Sequence, residues 1–450
     1  MERRIILSFD VEDIDSPAGH EEIPLALSLL NELKVSGSFL PTGDKLRALA
    51  SQDRYGLLDR LALHDIGFHS AHRSTHPTIP EYTRGLGWPQ ARALLKEREL
   101  ADVEALRKTF GIAPSTFGVP GDAWVPYISA FCADAGIQSQ VYSPVEIPGF
   151  LPCEYAGVID FGSPSIRCDP SYGDTPLNES SLRALTVVRI HPATLLVDGW
   201  WDAANYKGSK RRADPLALLT TADQALRLAR LRTFLLGLAS LGFSFTTFGA
   251  VCCSIRPNPL ELQRTHLVDL ARSIKRHEFP LLVCDVGMSL GQSLLVLGRA
   301  LVSQHRCGRL PEAVAFPSEP ILGSLAPSAA LIAVPVVATW EEFVNGLADA
   351  VGHIERTGQV NEHTFLGDRP VATTDIMYAA ALAVMSIAED QNPSFVTIGG
   401  QFRWPSKVSL RLASRMVQSW RWPVLPPDFV MPQEVGIALS QLWSLRPALP

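Results

Sequence analysis

Three stretches of this 450-residue chain gather acidic and imidazole side chains in ways that hydrolytic chemistry can use. The first is SFDVEDID, in which Asp10, Glu12 and Asp13 follow the apolar run Ile5 to Phe9. The second is FHSAHRSTHP, which sets His69, His72 and His76 just beyond the run Asp65 to Phe68. The third is VVRIHP, where His191 ends the run Val187 to Ile190. The chain has only 11 histidines, and these four sit immediately past predicted strands. That placement matters because a parallel α/β sheet or barrel builds its site from the carboxyl ends of its strands. A divalent ion held by one carboxylate and two imidazoles keeps positions open for water and substrate, as metal-assisted hydrolysis requires. A second carboxylate then serves as general base, and a histidine as the acid that protonates a leaving amine. Asp10 and His191 suit those two roles. Each stretch also has an ordinary reading: a capped acidic turn, a solvated polar loop and a half-buried histidine. Their joint position at strand ends favours the chemical one.

The elements that must position these residues alternate between β-rich runs and helical patterns. Ile5 to Phe9 leads to a helix around Pro24 to Lys34 and a run near Gly37 to Leu40. Further strands are predicted at Asp65 to Phe68, Thr116 to Val119, Gln138 to Tyr142, Val158 to Phe161 and Thr186 to Ile190. Helices are predicted at Trp88 to Phe110 and Ala222 to Leu241. This order, about seven β/α units, predicts a parallel sheet or barrel. From Ser254 the texture changes. RPNPLELQ breaks the pattern, and the remainder of the chain is mostly helical with proline and glycine punctuation. The chain is therefore divided into a barrel of residues 1–253 and a mostly helical accessory domain of residues 254–450. No exact tandem repeat or low-complexity tract is found.

Composition narrows the partners. With 46% hydrophobic and 19% charged residues the chain should fold, and a formal charge of -6 without a basic block excludes a phosphate-backbone footprint. Nucleic acid is not an expected partner. The apolar stretches, Ser328 to Trp340 among them, are too short to span hydrocarbon, so no membrane span is expected. The opening MERRIILSFD runs straight into a strand and leaves no room for a signal peptide, which predicts a cytoplasmic protein. Seven cysteines, an odd number without CxxC spacing, read as reduced, buried thiols.

Taken in order, ILSFDVED, LLNELKVSGSFLPTGDKL, DIGFHSAHRSTHP, FGVPG and VVRIHP resemble the motifs of the polysaccharide deacetylase (NodB-like, carbohydrate esterase 4) family, across about residues 1–250. The resemblance implies an α/β fold with a distorted (β/α)7 barrel, a divalent metal that is usually zinc, and hydrolysis of N- or O-acetyl groups on sugars. Similar proteins open C–N bonds in small cyclic amides or modify non-polymeric substrates. Carried onto this chain, the resemblance makes Asp10 the base, Glu12 or Asp13 the metal carboxylate, and His191 the acid. The family's histidine pair is spaced i and i+4, which His72 and His76 satisfy; His69 stands where the first histidine usually falls, and its i+4 residue is Arg73. Gly118 stands where the family carries an arginine that orients the base. Arg189 shares a strand face with His191 and is a candidate for the missing charge. Pro120, Trp124, Trp200 and Trp201 are candidate substrate contacts, and DGWWDAANYKGSKRR a candidate cleft loop. In the C-terminal half, LGDRPVATTDIMYAAALAV is faintly similar to the helical units of pseudomurein-binding repeats; an accessory or dimerisation role is the simpler expectation.

The leading expectation is a metal-dependent hydrolase that removes an acetyl group from an acetamido sugar or polysaccharide precursor. Two alternatives stand beside it: hydrolysis of another non-peptide C–N bond, including one in a small amide, and a catalytically degenerate carbohydrate-binding protein.

Overall fold

A computed structural model describes residues 3–14, 20–51, 56–163, 166–169, 182–200, 206–207, 210–211, 216–255, 257–325, 335–399 and 406–449. The chain forms two compact units. The first comprises Met1–Val145, Val158–Ile255 and Arg415–Met431; the second comprises Glu146–Gly157, Arg256–Ser414 and Pro432–Pro450. A single cut near residue 253 does not separate them, because Glu146–Gly157 belongs with the later residues and Arg415–Met431 with the earlier ones.

In the first unit nine strands matter for the site: β1 (Arg4–Val11), β2 (Ser38–Pro41), β3 (Asp65–Ile66), β4 (Thr116–Gly118), β5 (Ser139–Val141), β6 (Val158–Asp160), β7 (Ile166–Arg167), β8 (Leu185–Ile190) and β9 (Ser244–Thr246). β1 is central. It pairs in parallel with β8 along its length, with β9 at its start and with β2 at its end, so that Phe9 faces both Ile190 and Phe39 in register. β2 pairs with β3 and β8 with β7, while β4, β5 and β6 form a second parallel run. A bridge between Phe68 and Phe117 joins the two runs. Each of these pairings is parallel, so the carboxyl ends converge on one side, where ligand sites of such sheets form.

The unit is thus an α/β fold with a parallel sheet, but its strands do not close into a barrel among the described residues. No pairing among them joins β6 to β7. The turn after β6 folds back on β5: Tyr142 N donates to the Gly162 carbonyl at 2.8 Å, and Asp160 Oδ1 accepts from Ser143 Oγ at 2.6 Å and from Gly162 N at 2.7 Å.

Burial explains the elements. β1 is buried from Ile5 to Val11, with Leu7 and Phe9 on one face and Ser8 and Asp10 on the other, as strand alternation requires. Phe9 stacks on Phe39 with centroids 4.7 Å apart. On the outside, the helix Trp88–Phe110 buries Ala91, Leu95, Val103 and Leu106, a one-face helical spacing, and stops at Gly111 in the left-handed region (φ 69°). Each of its large buried side chains contributes about 1.5–3 kcal/mol.

Arg415–Met431 adds Trp420, Trp422, Val424, Leu425 and Met431 to the buried apolar surface of the first unit. A fragment ending at Pro257 loses all of them, at about 1.5–3 kcal/mol per side chain. It is expected to be insoluble or to unfold without cooperativity, as thermal unfolding beside the full chain would show. A soluble, cooperatively folding 1–257 fragment would make Arg415–Met431 a mere appendage.

The second unit contains a repetition that residue identity hides. A strand (Glu261–Gln263), a helix (Arg264–Lys275), a hairpin (Leu281–Val283 with Val286–Met288), a helix (Leu290–Cys307) and a strand (Ala313–Ala315) occur in order. The same order recurs as Val336–Thr339, Trp340–Thr357, the hairpin His363–Leu366 with Arg369–Ala372, Thr373–Ala388 and Phe395–Ile398. In each set the first and last strands pair antiparallel. Both sets share one core, including Leu270, Leu294, Leu301, Phe343, Leu347, Ile376 and Ala380. Helices supply most of the regular structure of this unit, but each set needs its hairpin to reverse direction between them.

No helix among the described residues is long and apolar enough to cross a membrane. All seven cysteines are free thiols; Cys132, Cys153 and Cys168 are buried, but Cys253, Cys284 and Cys307 are exposed, against the expectation of buried thiols throughout.

Candidate active site

The carboxyl ends of the strands deliver the site residues one by one. Ser8 and Asp10 project from the same face of β1, and both meet the Tyr142 hydroxyl, which follows β5: Ser8 Oγ at 2.7 Å, and Asp10 Oδ1, which accepts its proton, at 2.7 Å. Burial, and then the charge of Asp10, push the Tyr142 phenol up, so it remains a donor. The second oxygen of Asp10 has no hydrogen-bond partner and is buried. It faces two imidazoles, His191 Nε2 at 3.6 Å and His69 Nε2 at 3.9 Å.

His191 follows β8 and is locked from behind. Its backbone N–H and its Nδ1 both reach Asp169 Oδ1, at 3.1 and 2.9 Å, which turns Nε2 toward Asp10. Trp200 stacks on the ring, with centroids 5.1 Å apart. Burial works against the imidazolium, but the charge and hydrogen bond of Asp169 outweigh it, with Glu12 and Asp10 adding, so the His191 pKa is raised. Asp169 is lowered in return, since the pairing with His191 outweighs its burial.

His69 follows β3. Its Nδ1 lies 2.9 Å from the Gly118 carbonyl, which can only accept, so Nδ1 carries the proton. Nε2 is then a lone pair, and it accepts from Arg73 Nε at 3.2 Å. Glu12 Oε2 lies 3.2 Å from the same Nε2 and is ion-paired to Arg73. The loop is tied down from outside: Glu99 Oε2 accepts from Ala71 N at 2.7 Å, and Gly43 N and Asp44 N reach the carbonyls of Ser70 and Ala71, each at 3.0 Å.

Of these side chains Tyr142, Asp169, His191, Trp200 and Arg73 line a cavity of about 770 Å³ in the first unit, with Asp122, Arg167, Arg189 and Trp422, while Asp10, Glu12 and His69 are buried behind that lining. Asp122 binds both Arg189 and Arg167. Although burial opposes its charge, the two guanidiniums hold it below the usual carboxylate range. Arg189 lies over the Tyr142 ring, 4.6 Å from its centroid.

The sequence-predicted residues divide accordingly. Asp10, Glu12, His69, His191, Arg189 and Trp200 come together. The others are placed elsewhere. Asp13 is buried but belongs to no metal-donor cluster among the described residues; burial, with Glu12 adding, pushes its carboxyl up to about 8, and its carbonyl takes Lys45 Nζ, which also pairs with Glu22. His72 and His76 are turned outward, with half-exposed side chains bonded to Asp44 at 3.0 Å and Glu81 at 2.8 Å. Their i and i+4 spacing is real, but this segment is a loop and not a helix, so the spacing does not put them on one face. Trp124 and Pro120 are buried and are not among the residues that line the cavity. Trp201 and most of DGWWDAANYKGSKRR lie outside the described residues. Tyr142, Asp169, Asp122 and Trp422 join the site without having been singled out from sequence. Tyr142 and Asp169 stand just past β5 and β7, so the strand-end signal that found His69 and His191 applied to them too.

The absence of an arginine at Gly118 has a steric cause. A Cβ there would lie 2.6 Å from both His69 Nδ1 and Leu40 Cδ2. Gly118→Ala is therefore expected to cost about 1–3 kcal/mol of stability and to displace His69, measurable as a lowered unfolding midpoint; an unchanged midpoint would contradict the close approach.

The metal set that the resemblance implies is a carboxylate with two histidines. Glu12 and His69 supply two corners, but the third is Arg73, and a guanidinium has no lone pair to give. That set does not fit a divalent ion. Asp10, Glu12 and His191 offer one donor atom each within 4.8 Å of one another and could hold a metal ion. Those donors include both candidate proton-transfer groups, and the Arg73 charge lies against the same Glu12 carboxylate.

No family model and no curated protein matches the sequence. Among solved structures, a CE4 esterase from Streptococcus mutans matches at 13% identity over 55% of this chain and 86% of its own, with a TM-score of 0.34. A family 4 carbohydrate esterase from Streptomyces lividans, in complex with acetate, matches at 14% identity over 54% and 92%, with a TM-score of 0.31. A CE4 family pseudoenzyme from Bacillus anthracis matches at 12% identity over 56% and 66%, with a TM-score of 0.32. At such identities and scores the similarity assigns no activity to this chain.

Proposed function

We propose that this chain is a hydrolase that cleaves an acyl group, of the acetyl kind, from a nitrogen or oxygen of a carbohydrate. The observation that carries the reading is a facing pair beside the cavity: His191, which lines it and is fixed by Asp169, and 3.6 Å from its Nε2 a buried Asp10 oxygen without a hydrogen-bond partner. Asp10 takes the proton of an attacking water, its other oxygen held by Tyr142. His191, whose protonated form Asp169 favours, gives a proton to the leaving group. Trp200 and Trp422 offer flat apolar faces against which a sugar ring packs, and Arg189 and Arg167 fix Asp122 beside it. No step is taken through a metal ion.

The test is acetate release from N-acetylglucosamine oligosaccharides and from O-acetylated xylan, with the full chain. Release that depends on Asp10 supports the reading. Binding of these sugars without release favours the degenerate alternative, which the guanidinium among the would-be metal donors also favours. Neither release nor binding across both probe classes would overturn the carbohydrate reading.

A further inference from the structure

We propose that Arg73 is the built-in cation of this site: its guanidinium fills the corner between Glu12 and His69 that a divalent metal would otherwise take, so the folded protein holds the site together without a bound metal. The charges require something there. Glu12 Oε2 and the lone pair of His69 Nε2 lie 3.2 Å apart in a buried setting, an arrangement that is repulsive unless a positive group lies between them. Arg73 Nε does so, ion-paired to the carboxylate and 3.2 Å from the imidazole nitrogen that it donates to.

The loop is shaped for this purpose. Ser70 (φ 66°) and Arg73 (φ 45°) both adopt the left-handed conformation that side-chain-bearing residues rarely take, and the turn is held by Arg73 N donating to Ser70 Oγ at 2.9 Å. The outcome is an arginine side chain only 4% exposed, four residues after His69. His72 and His76, free of that conformation, point outward. A loop that merely tolerated an arginine would leave it in solvent with its neighbours. Gly118 completes the arrangement, because it leaves room for the His69 ring whose Nδ1–H fixes the lone pair toward Arg73.

The proposal concerns ion binding and stands apart from whether the site turns over a sugar. Its test is Co2+ and Zn2+ titration of the full chain, with metal content after dialysis, for the unaltered protein and for Arg73→His and Arg73→Lys. The unaltered protein and Arg73→Lys are expected to retain no stoichiometric metal. Arg73→His restores a carboxylate and two imidazoles, and is expected to tighten Co2+ binding by at least about a hundredfold, the most that even an outer-shell partner contributes, with a one-to-one visible absorption band. One equivalent of metal in the unaltered protein, removed by Glu12→Gln, would overturn the proposal. So would a folded Arg73→His that binds Co2+ no more tightly than its parent. If Arg73→His does not fold, the titration of the unaltered protein decides alone. None of these readouts uses turnover, so their failure is distinct from failure of the hydrolase reading.

Discussion

Asp10→Asn is expected to lower acyl hydrolysis by about a hundredfold or more, the scale for losing a general base, while leaving the fold intact. The carboxylate is only half satisfied. One oxygen accepts from Tyr142, and the other has no hydrogen-bond partner, between two imidazole nitrogens at 3.6 and 3.9 Å. An oxygen left that way loses solvation without recovering it, which a stable fold tolerates where the group has work to do. Asparagine keeps the shape and can keep the Tyr142 contact, so the unfolding midpoint should move little. Turnover and thermal unfolding measured on one preparation decide the point: equal turnover in the variant removes Asp10 from the chemistry, and a collapsed midpoint makes its role structural.

Replacing Asp169 by asparagine is expected to be nearly as damaging to turnover, within the range of about 10²–10⁴ that proton transfer by a positioned side chain provides. Asp169 orients His191 through two contacts and raises its pKa against the pull of burial. Without that charge the His191 pKa falls. If the imidazolium is the acid, activity is lost as pH rises through this pKa, so the alkaline limb of the rate profile should move to lower pH in the variant. Stability responds to the same pair. A histidine with a raised folded pKa contributes stability fully present below its unfolded value and lost as pH rises through the folded one. Asp169, whose pKa is lowered, contributes stability present above its own unfolded value and lost as pH falls through the folded one. A profile whose alkaline limb stays in place, with turnover reduced, would assign Asp169 to positioning alone.

Much of this could be read from residue order. Polar groups just after apolar runs mark the carboxyl ends of parallel strands, and Asp10, Glu12, His69 and His191 are found that way because the periodicity of a strand is local. The same is true of the helices Trp88–Phe110 and Thr221–Ser240, whose apolar spacing and capping are written within each segment. Local signals stop there. Motif spacing nominates His72 and His76, and only the path of the loop, with left-handed residues at Ser70 and Arg73, shows that an arginine takes the inward position. Asp169 meets His191 from 22 residues away, and Tyr142 meets Asp10 from 132 away, through strands that pair only in three dimensions. The cavity wall from Arg415 to Pro423 comes from beyond most of the second unit's residues. The repeated strand–helix–hairpin–helix–strand order escapes residue identity because its two copies share which faces are buried and not which residues bury them. Sequence alone therefore determined the main strands and helices of the first 250 residues and which of them carry reactive groups, since propensity and periodicity act over a few residues, but not the short strands of the later half. The tertiary structure decided which of those groups share a site and what charge stands among them, since both depend on contacts between residues far apart in the chain.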